Sequence, residues 1–242
     1  MTEQRHPTFQ IVDEPAQRCA ERLAEAARAG GHVALTGGST PKAAYETLAG
    51  MDVDWPRVSL WWGDDRCVPP EDPRSNYGMA KAALLDRIEG EGPTVHRIEG
   101  EREEPRAAAD AYEDELRDSF GEGIPQLDLI LLGLGPDAHV ASLFPGQMSL
   151  DERERLVVAV EEPGLDPWVA RVSMTLPVLN AGRHVLFLVT GADKAEAVHR
   201  AFVEPPSRHA PGSLIAPESG SLTVILDEAA AAQLPAPARE GG

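Results

Sequence analysis

A histidine in a glycine-rich turn, a Gly-Gly-Ser-Thr turn, an arginine after two aspartates and a lysine after Gly-Ala-Asp are the residues of this chain best placed to do chemistry. His139 lies in the stretch 127–146, LDLILLGLGPDAHVASLFPG, where an unbroken apolar run ends in a Gly/Pro/Asp turn. It alone of the seven histidines follows a predicted strand in such a turn. An imidazole that titrates near neutrality can take a proton from water, and the nearby carboxylate of Asp137 can orient it or balance its charge. The alternative is a structural histidine whose bonds are satisfied within the fold.

The turn 37–41, GGSTP, lies between a predicted strand and a predicted helix. Gly37 and Gly38 permit a tight turn, while Ser39, Thr40 and the free N–H groups of a helix start favour an anion such as a phosphate. A plain capped turn is the other reading. A nucleophilic serine needs a G-x-S-x-G elbow, and Pro41 takes the place of the last glycine, so Ser39 is not read as one. The segment 133–138, GLGPDA, matches the dinucleotide fingerprint, with Glu161 or Glu162 as its acidic partner, but Pro136 interrupts the helix that the motif must open.

The loop 63–77 is long, and long ordered loops usually serve function. Arg66 offers a planar fork of donors to a phosphate or a developing oxyanion, unless an ion pair with Asp64 or Asp65 occupies it. Lys194 stands where a helix opens, a poor place for a cation unless an anion binds nearby. With no HExxH and no Cys/His cluster at ligand spacing, no metal is expected.

These residues need elements to position them. Strand-like runs at 32–36, 58–62, 127–133, 170–175 and 184–190 each lead into a small-residue loop, and further strands are predicted at 156–160 and 222–226. Helices are predicted at 14–29 with Asp13 as cap and Gly30-Gly31 as exit, and at 41–48, 76–88, 105–120, 193–202 and 227–234. The alternation predicts an α/β fold, an open mostly parallel sheet with helices on both faces in a Rossmann-like three-layer sandwich. Loops leaving the carboxyl ends of such strands converge on one crevice.

The 242 residues suit a single domain over 1–242, with no linker or internal repeat and with unstructured tails at 1–6 and 235–242. Lys and Arg number 22 against 40 Asp and Glu, a net charge of -18. That surface is unsuited to nucleic acid or anionic membrane, whereas a few local cations can still decide the field within a small-molecule pocket. Cys19 and Cys67 form no CxxC and read as thiols of a reducing cytoplasm. The first ten residues lack a signal-peptide core, and no apolar run approaches the ~18 residues of a membrane span. A cytoplasmic monomer or small homo-oligomer is expected.

In order and spacing, the stretches LTGGSTPKAAYETLA, WWGDDRCVPPEDPRSNYGMA, LDLILLGLGPDAHVASLFPG, RVSMTLPVLNAG, FLVTGADKAEAV and VILDEAAAA resemble the 6-phosphogluconolactonase family, within the group that includes glucosamine-6-phosphate isomerases. The resemblance covers nearly the whole chain. It implies hydrolysis of a phosphorylated sugar lactone, 6-phosphoglucono-δ-lactone, to 6-phosphogluconate, without metal or cofactor. It also implies that His139 is the general base, in a catalytic set with Asp64 and Arg66. The phosphate contacts map onto Gly37, Gly38, Ser39, Thr40, Arg66 and Lys194, and Asn76, Asp137 and Arg171 match further site-lining positions.

Three positions depart from the family pattern. Ala138 replaces a glycine, Val140 a common threonine and Asp65 a glutamate. If position 138 holds positive φ, alanine strains the turn. The rival within the superfamily is a glucosamine-6-phosphate isomerase, although ASLFP after the histidine fits the lactonase branch. The rival outside it is a sugar-phosphate-binding protein without catalysis.

Overall fold

A computed structural model describes residues 7–217 and 219–239 of the chain. The order opens with β1 (Thr8–Ile11), α1 (Pro15–Ala29), β2 (Gly31–Leu35), α2 (Ser39–Leu48), β3 (Val58–Trp62) and β4 (Asp64–Arg66). It continues through α3 (Asn76–Ala83), β5 (Thr94–Val95), α4 (Pro105–Phe120), β6 (Leu129–Leu132), β7 (Val157–Val160) and β8 (Arg171–Met174). The last elements are α5 (Leu176–Ala181), β9 (His184–Val189), α6 (Ala195–Phe202), β10 (Ser221–Leu226) and the helical turn α7 (Ala236–Arg239).

Seven strands form one sheet in the order β1-β10-β9-β6-β2-β3-β5, parallel at every pairing and flanked by helices. Its central strand β6 reads LILL and is buried at every position, as a strand covered on both faces must be. From β2 the chain steps outward through β3 to β5, then returns to place β6 on the other side of β2. That reversal is where an open α/β sheet leaves a crevice at its carboxyl edge. The GGSTP turn leaves β2 and the His139 turn leaves β6, so the topology makes them neighbours.

The strands predicted at 156–160 and 170–175 do not join this layer. As β7 and β8 they form, with β4, a separate antiparallel sheet ordered β4-β8-β7. The connection 161–170 is too short for the crossover of a dozen or so residues that parallel pairing requires. Gly63 links the two sheets. Its N–H donates to the Leu35 carbonyl at 2.9 Å, and its own carbonyl accepts from the Met174 N–H at 2.8 Å.

Glu113 of α4 covers the start of the outer strand β7. Its Oε2 accepts the N–H groups of Leu156 and Val157 at 3.1 and 3.3 Å and Arg155 Nε at 3.1 Å, while Arg117 reaches Oε1 at 2.7 Å. Burial would raise this carboxyl, and the donors outweigh it, holding Glu113 below the usual carboxylate range.

Several boundaries differ from the predicted ones. Glu14, not Asp13, is the cap of α1, because Pro15 begins the helix and confines the preceding residue to non-helical backbone. Helix α2 starts at Ser39, since a proline is tolerated in a first turn. Helix α3 stops at Ala83, where the fully buried Leu84 leaves helical geometry, and a 3-10 turn follows. A 3-10 turn over Ala192–Lys194 precedes α6. Residues 227–234 form turns rather than a helix, and Asp227 accepts from Gly191 and Ala230 N–H at 2.9 and 2.7 Å, tying the end of β10 to the Lys194 loop. Part of the tail expected to be unstructured forms α7, whereas 1–6 and 240–242 lie outside the described residues. Among the described residues, no helix is long and apolar enough to cross a membrane.

Candidate active site

A cavity of about 240 Å³ opens where the two sheets meet, and His139, Arg66, Arg171, Lys194, Asp64 and Asn76 all line it, together with Gly37 and Gly38. Two larger hollows, of 690 and 620 Å³, contain none of these side chains. Three expected site residues do not line the cavity. Ser39 is exposed on the first turn of α2, Thr40 shares a hydrogen bond of 2.9 Å with Thr190, and Asp137 acts from behind His139. Among the described residues, no group of three or more His, Cys, Asp and Glu side chains could hold a metal ion.

Asp137 Oδ1 lies 2.6 Å from His139 Nδ1 and also accepts the His139 backbone N–H at 3.1 Å. Burial would raise the Asp137 carboxyl, but the bonds and charge of His139 prevail and hold it below its ordinary value. The ionised carboxylate keeps the ring proton on Nδ1, which leaves Nε2 as the basic nitrogen. Gly135 makes room for this pair, since a Cβ there would stand 1.9 Å from Nδ1.

The backbone around His139 is left-handed at Ala138 (φ 66°) and Ala141 (φ 49°). The strain anticipated for alanine at position 138 is therefore present. Val140 is fully buried in the apolar core, so its methyl group takes nothing from the cavity. No helix follows 133–138; the chain continues in turns, which removes the helix start that a dinucleotide pyrophosphate would need.

Asp65 turns away from the cavity and organises its wall. It accepts from the backbone N–H of Arg66, Asn76 and Tyr77 at 2.7, 2.6 and 2.9 Å and from Ser75 Oγ at 3.2 Å. Burial pushes its carboxyl up to about 6 against the pull of these donors. The shorter aspartate thus still secures the first turn of α3 to β4. Asn76, the first residue of that helix, donates from Nδ2 to the Asp64 carbonyl at 2.9 Å, while its buried Oδ1 has no partner. A Cβ on Gly37 would come within 1.8 Å of that oxygen, so only glycine fits there.

Neither Asp64 nor Asp65 captures Arg66 in an ion pair; its Nη1 donates to the Arg74 carbonyl at 2.6 Å. Arg171 stands opposite it in register across β4 and β8 and donates from Nη2 to the carbonyls of Leu165 and Pro167 at 3.2 and 3.1 Å. The buried Nε atoms of both arginines lack partners. Burial, and then the charge of Arg66, lower the Arg171 pKa. Burial likewise lowers that of Lys194, with Asp193 and Asp137 acting in the opposite direction. Cations this poorly compensated are chemically suited to an anion.

Reading the sequence alone missed Ser142, Ser173 and Phe144. Phe144 places its ring 4.6 Å from that of His139 and 5.4 Å from the Arg171 guanidinium carbon, and Ser142 donates to Asp64 at 2.6 Å. Their only signal was membership of the ASLFP and RVSMT strings, because no periodicity marks a polar side chain that serves another loop.

Fold and site together define an α/β protein whose crevice sets a carboxylate-braced histidine among cations suited to a small anion. The chain belongs to the family of glucosamine-6-phosphate isomerases and 6-phosphogluconolactonases, which it matches over residues 8–224. It is 40% identical over 228 residues to a 6-phosphogluconolactonase of Homo sapiens, covering 92% of this chain and 87% of the other. A 6-phosphogluconolactonase of Nostoc sp. is 39% identical over 206 residues, 84% of each chain. The solved structure of 6-phosphogluconolactonase from Trypanosoma cruzi superposes with a TM-score of 0.82 at 28% identity, covering 96% of this chain and 98% of that one.

Proposed function

We propose that this protein hydrolyses 6-phosphoglucono-δ-lactone to 6-phosphogluconate, a step of the oxidative pentose phosphate pathway. The observation that carries this reading is the Asp137–His139 pair, joined at 2.6 Å, in a cavity shared with Arg66, Arg171 and Lys194.

Arg66 and Arg171 grip the phosphate, with Lys194 and the N–H groups of the GGST turn adding positive potential. His139 Nε2 takes a proton from water as the oxygen attacks the lactone carbonyl, and the Asp137 carboxylate stabilises the imidazolium. The tetrahedral intermediate collapses with cleavage of the bond to the ring oxygen, which receives the proton from His139. The carboxylic acid so formed ionises, releasing one proton for each lactone opened. A lactone is an activated ester, so positioning and base catalysis suffice without a covalent intermediate.

The test is pH-stat proton release from freshly prepared lactone, corrected for spontaneous hydrolysis. His139→Ala is expected to reduce kcat by roughly a hundredfold or more, the range of a lost general base. Folded wild-type protein that accelerates nothing would overturn the reading. Ammonia release from glucosamine 6-phosphate would assign the isomerase chemistry in its place.

A further inference from the structure

The turn that carries His139 holds two alanines, at 138 and 141, in left-handed backbone, a conformation that persists in residues other than glycine only where the surroundings enforce it. Ser142, the residue after Ala141, ties the end of this turn to the small sheet. Its hydroxyl donates to Asp64 Oδ2 at 2.6 Å, and its backbone N–H donates to Ser173 Oγ at 3.2 Å. Asp64 and Ser173 are register partners across β4 and β8, so both bonds end on one rung of the small sheet. Arg66 and Arg171 form the rung two positions along. Other bonds of the turn, from Gly135 N–H to the His139 carbonyl and from Gly212 N–H to the Ala138 carbonyl, do not reach the small sheet.

The contact is also sealed from solvent. Ser142 and Ser173 are 0% exposed and Asp64 is 4% exposed. Without the serine hydroxyl, the Asp64 carboxylate would keep only the contact from Asn76 Nδ2 at 3.4 Å, at the long limit of a hydrogen bond. A charge-assisted bond in such a setting fixes geometry in a way that a solvated one cannot.

We propose that Ser142 is a positioning residue: it fastens the histidine turn of the large sheet to the arginine-bearing rungs of the small one. It thereby sets the reach from His139 Nε2 to a substrate whose phosphate is held by Arg66 and Arg171. The proposal rests on the hydrolytic reading above. Ser142 is separate from the arginines and Lys194, so its loss acts on the alignment of the base rather than on affinity.

The experiment compares wild type, Ser142→Ala and Ser142→Ala/Ala141→Gly by steady-state lactone hydrolysis and by NMR of the His139 ring in the free protein. Ser142→Ala is expected to lower kcat roughly tenfold to a hundredfold, the equivalent of one hydrogen bond to a charged group, with KM held within about threefold. The His139 ring signals shift in the same variant. Adding Ala141→Gly restores part of kcat, because glycine holds the left-handed turn without steric cost. Should Ser142→Ala not fold, Ser142→Cys, close in volume and a weaker donor, is expected to show the same loss in kcat. Retention of kcat with an unchanged His139 spectrum, or a loss confined to KM, would overturn the proposal. If the wild type opens no lactone, the functional reading fails, and the His139 spectra still decide whether Ser142 anchors the turn.

Discussion

Arg66 and Arg171 face each other directly across two antiparallel strands, each with a buried Nε that has no partner. Like charges opposite one another destabilise a sheet. The pairing suits a site completed by an anion, the place that the proposed function gives to the substrate phosphate.

Arg171→Lys keeps the charge and loses the planar fork. KM for the lactone is expected to rise roughly tenfold or more, with kcat changed less than about threefold. Steady-state kinetics checks this. A fall in kcat at constant KM would place Arg171 at the reacting carbonyl and sink its assignment to the phosphate.

Ala138 spends left-handed strain next to the proposed base. Relief of that strain, about 1–2 kcal/mol, exceeds the roughly 0.5–1 kcal/mol of extra backbone entropy that glycine loses on folding. Ala138→Gly is therefore expected to raise Tm by about 1–2 °C with activity retained. Calorimetry measures it, and a Tm lowered by a few degrees would show that the buried methyl group matters more than the backbone.

His32 accepts the indole N–H of the fully buried Trp61 at Nδ1, 3.0 Å away, which requires the neutral ring. Burial lowers its pKa from 6.5, with His96 acting in the same direction and Asp128 against it. Between 6.5 and the lower folded value, the unfolded chain binds more protons than the folded one. The contribution of His32 is thus present above 6.5 and is lost as pH falls through the folded pKa. Urea unfolding across acidic pH is expected to show this slope, and His32→Gln to flatten it. An unchanged slope in the variant would exclude His32 as its source. His96 is only 15% exposed in its side chain and stacks on Trp61 with ring centroids 3.8 Å apart.

The sequence by itself determined the parallel α/β layer, because buried strands such as LILL must be apolar on both faces and the turns after them must use glycine. By residue type and setting it marked His139, Arg66 and Lys194 as groups that could act, while the family resemblance added Arg171 and pointed to strain at position 138. Helix limits at Asp13 and Leu84 escaped it, since Pro15 and the burial of Leu84 moved them. Only the tertiary structure decided that β4, β7 and β8 form a second sheet, that Arg66 meets Arg171, and that Ser142 reaches Asp64. The β4–β8 register and the Ser142–Asp64 bond join residues 78 or more positions apart, a relation that no local spacing records.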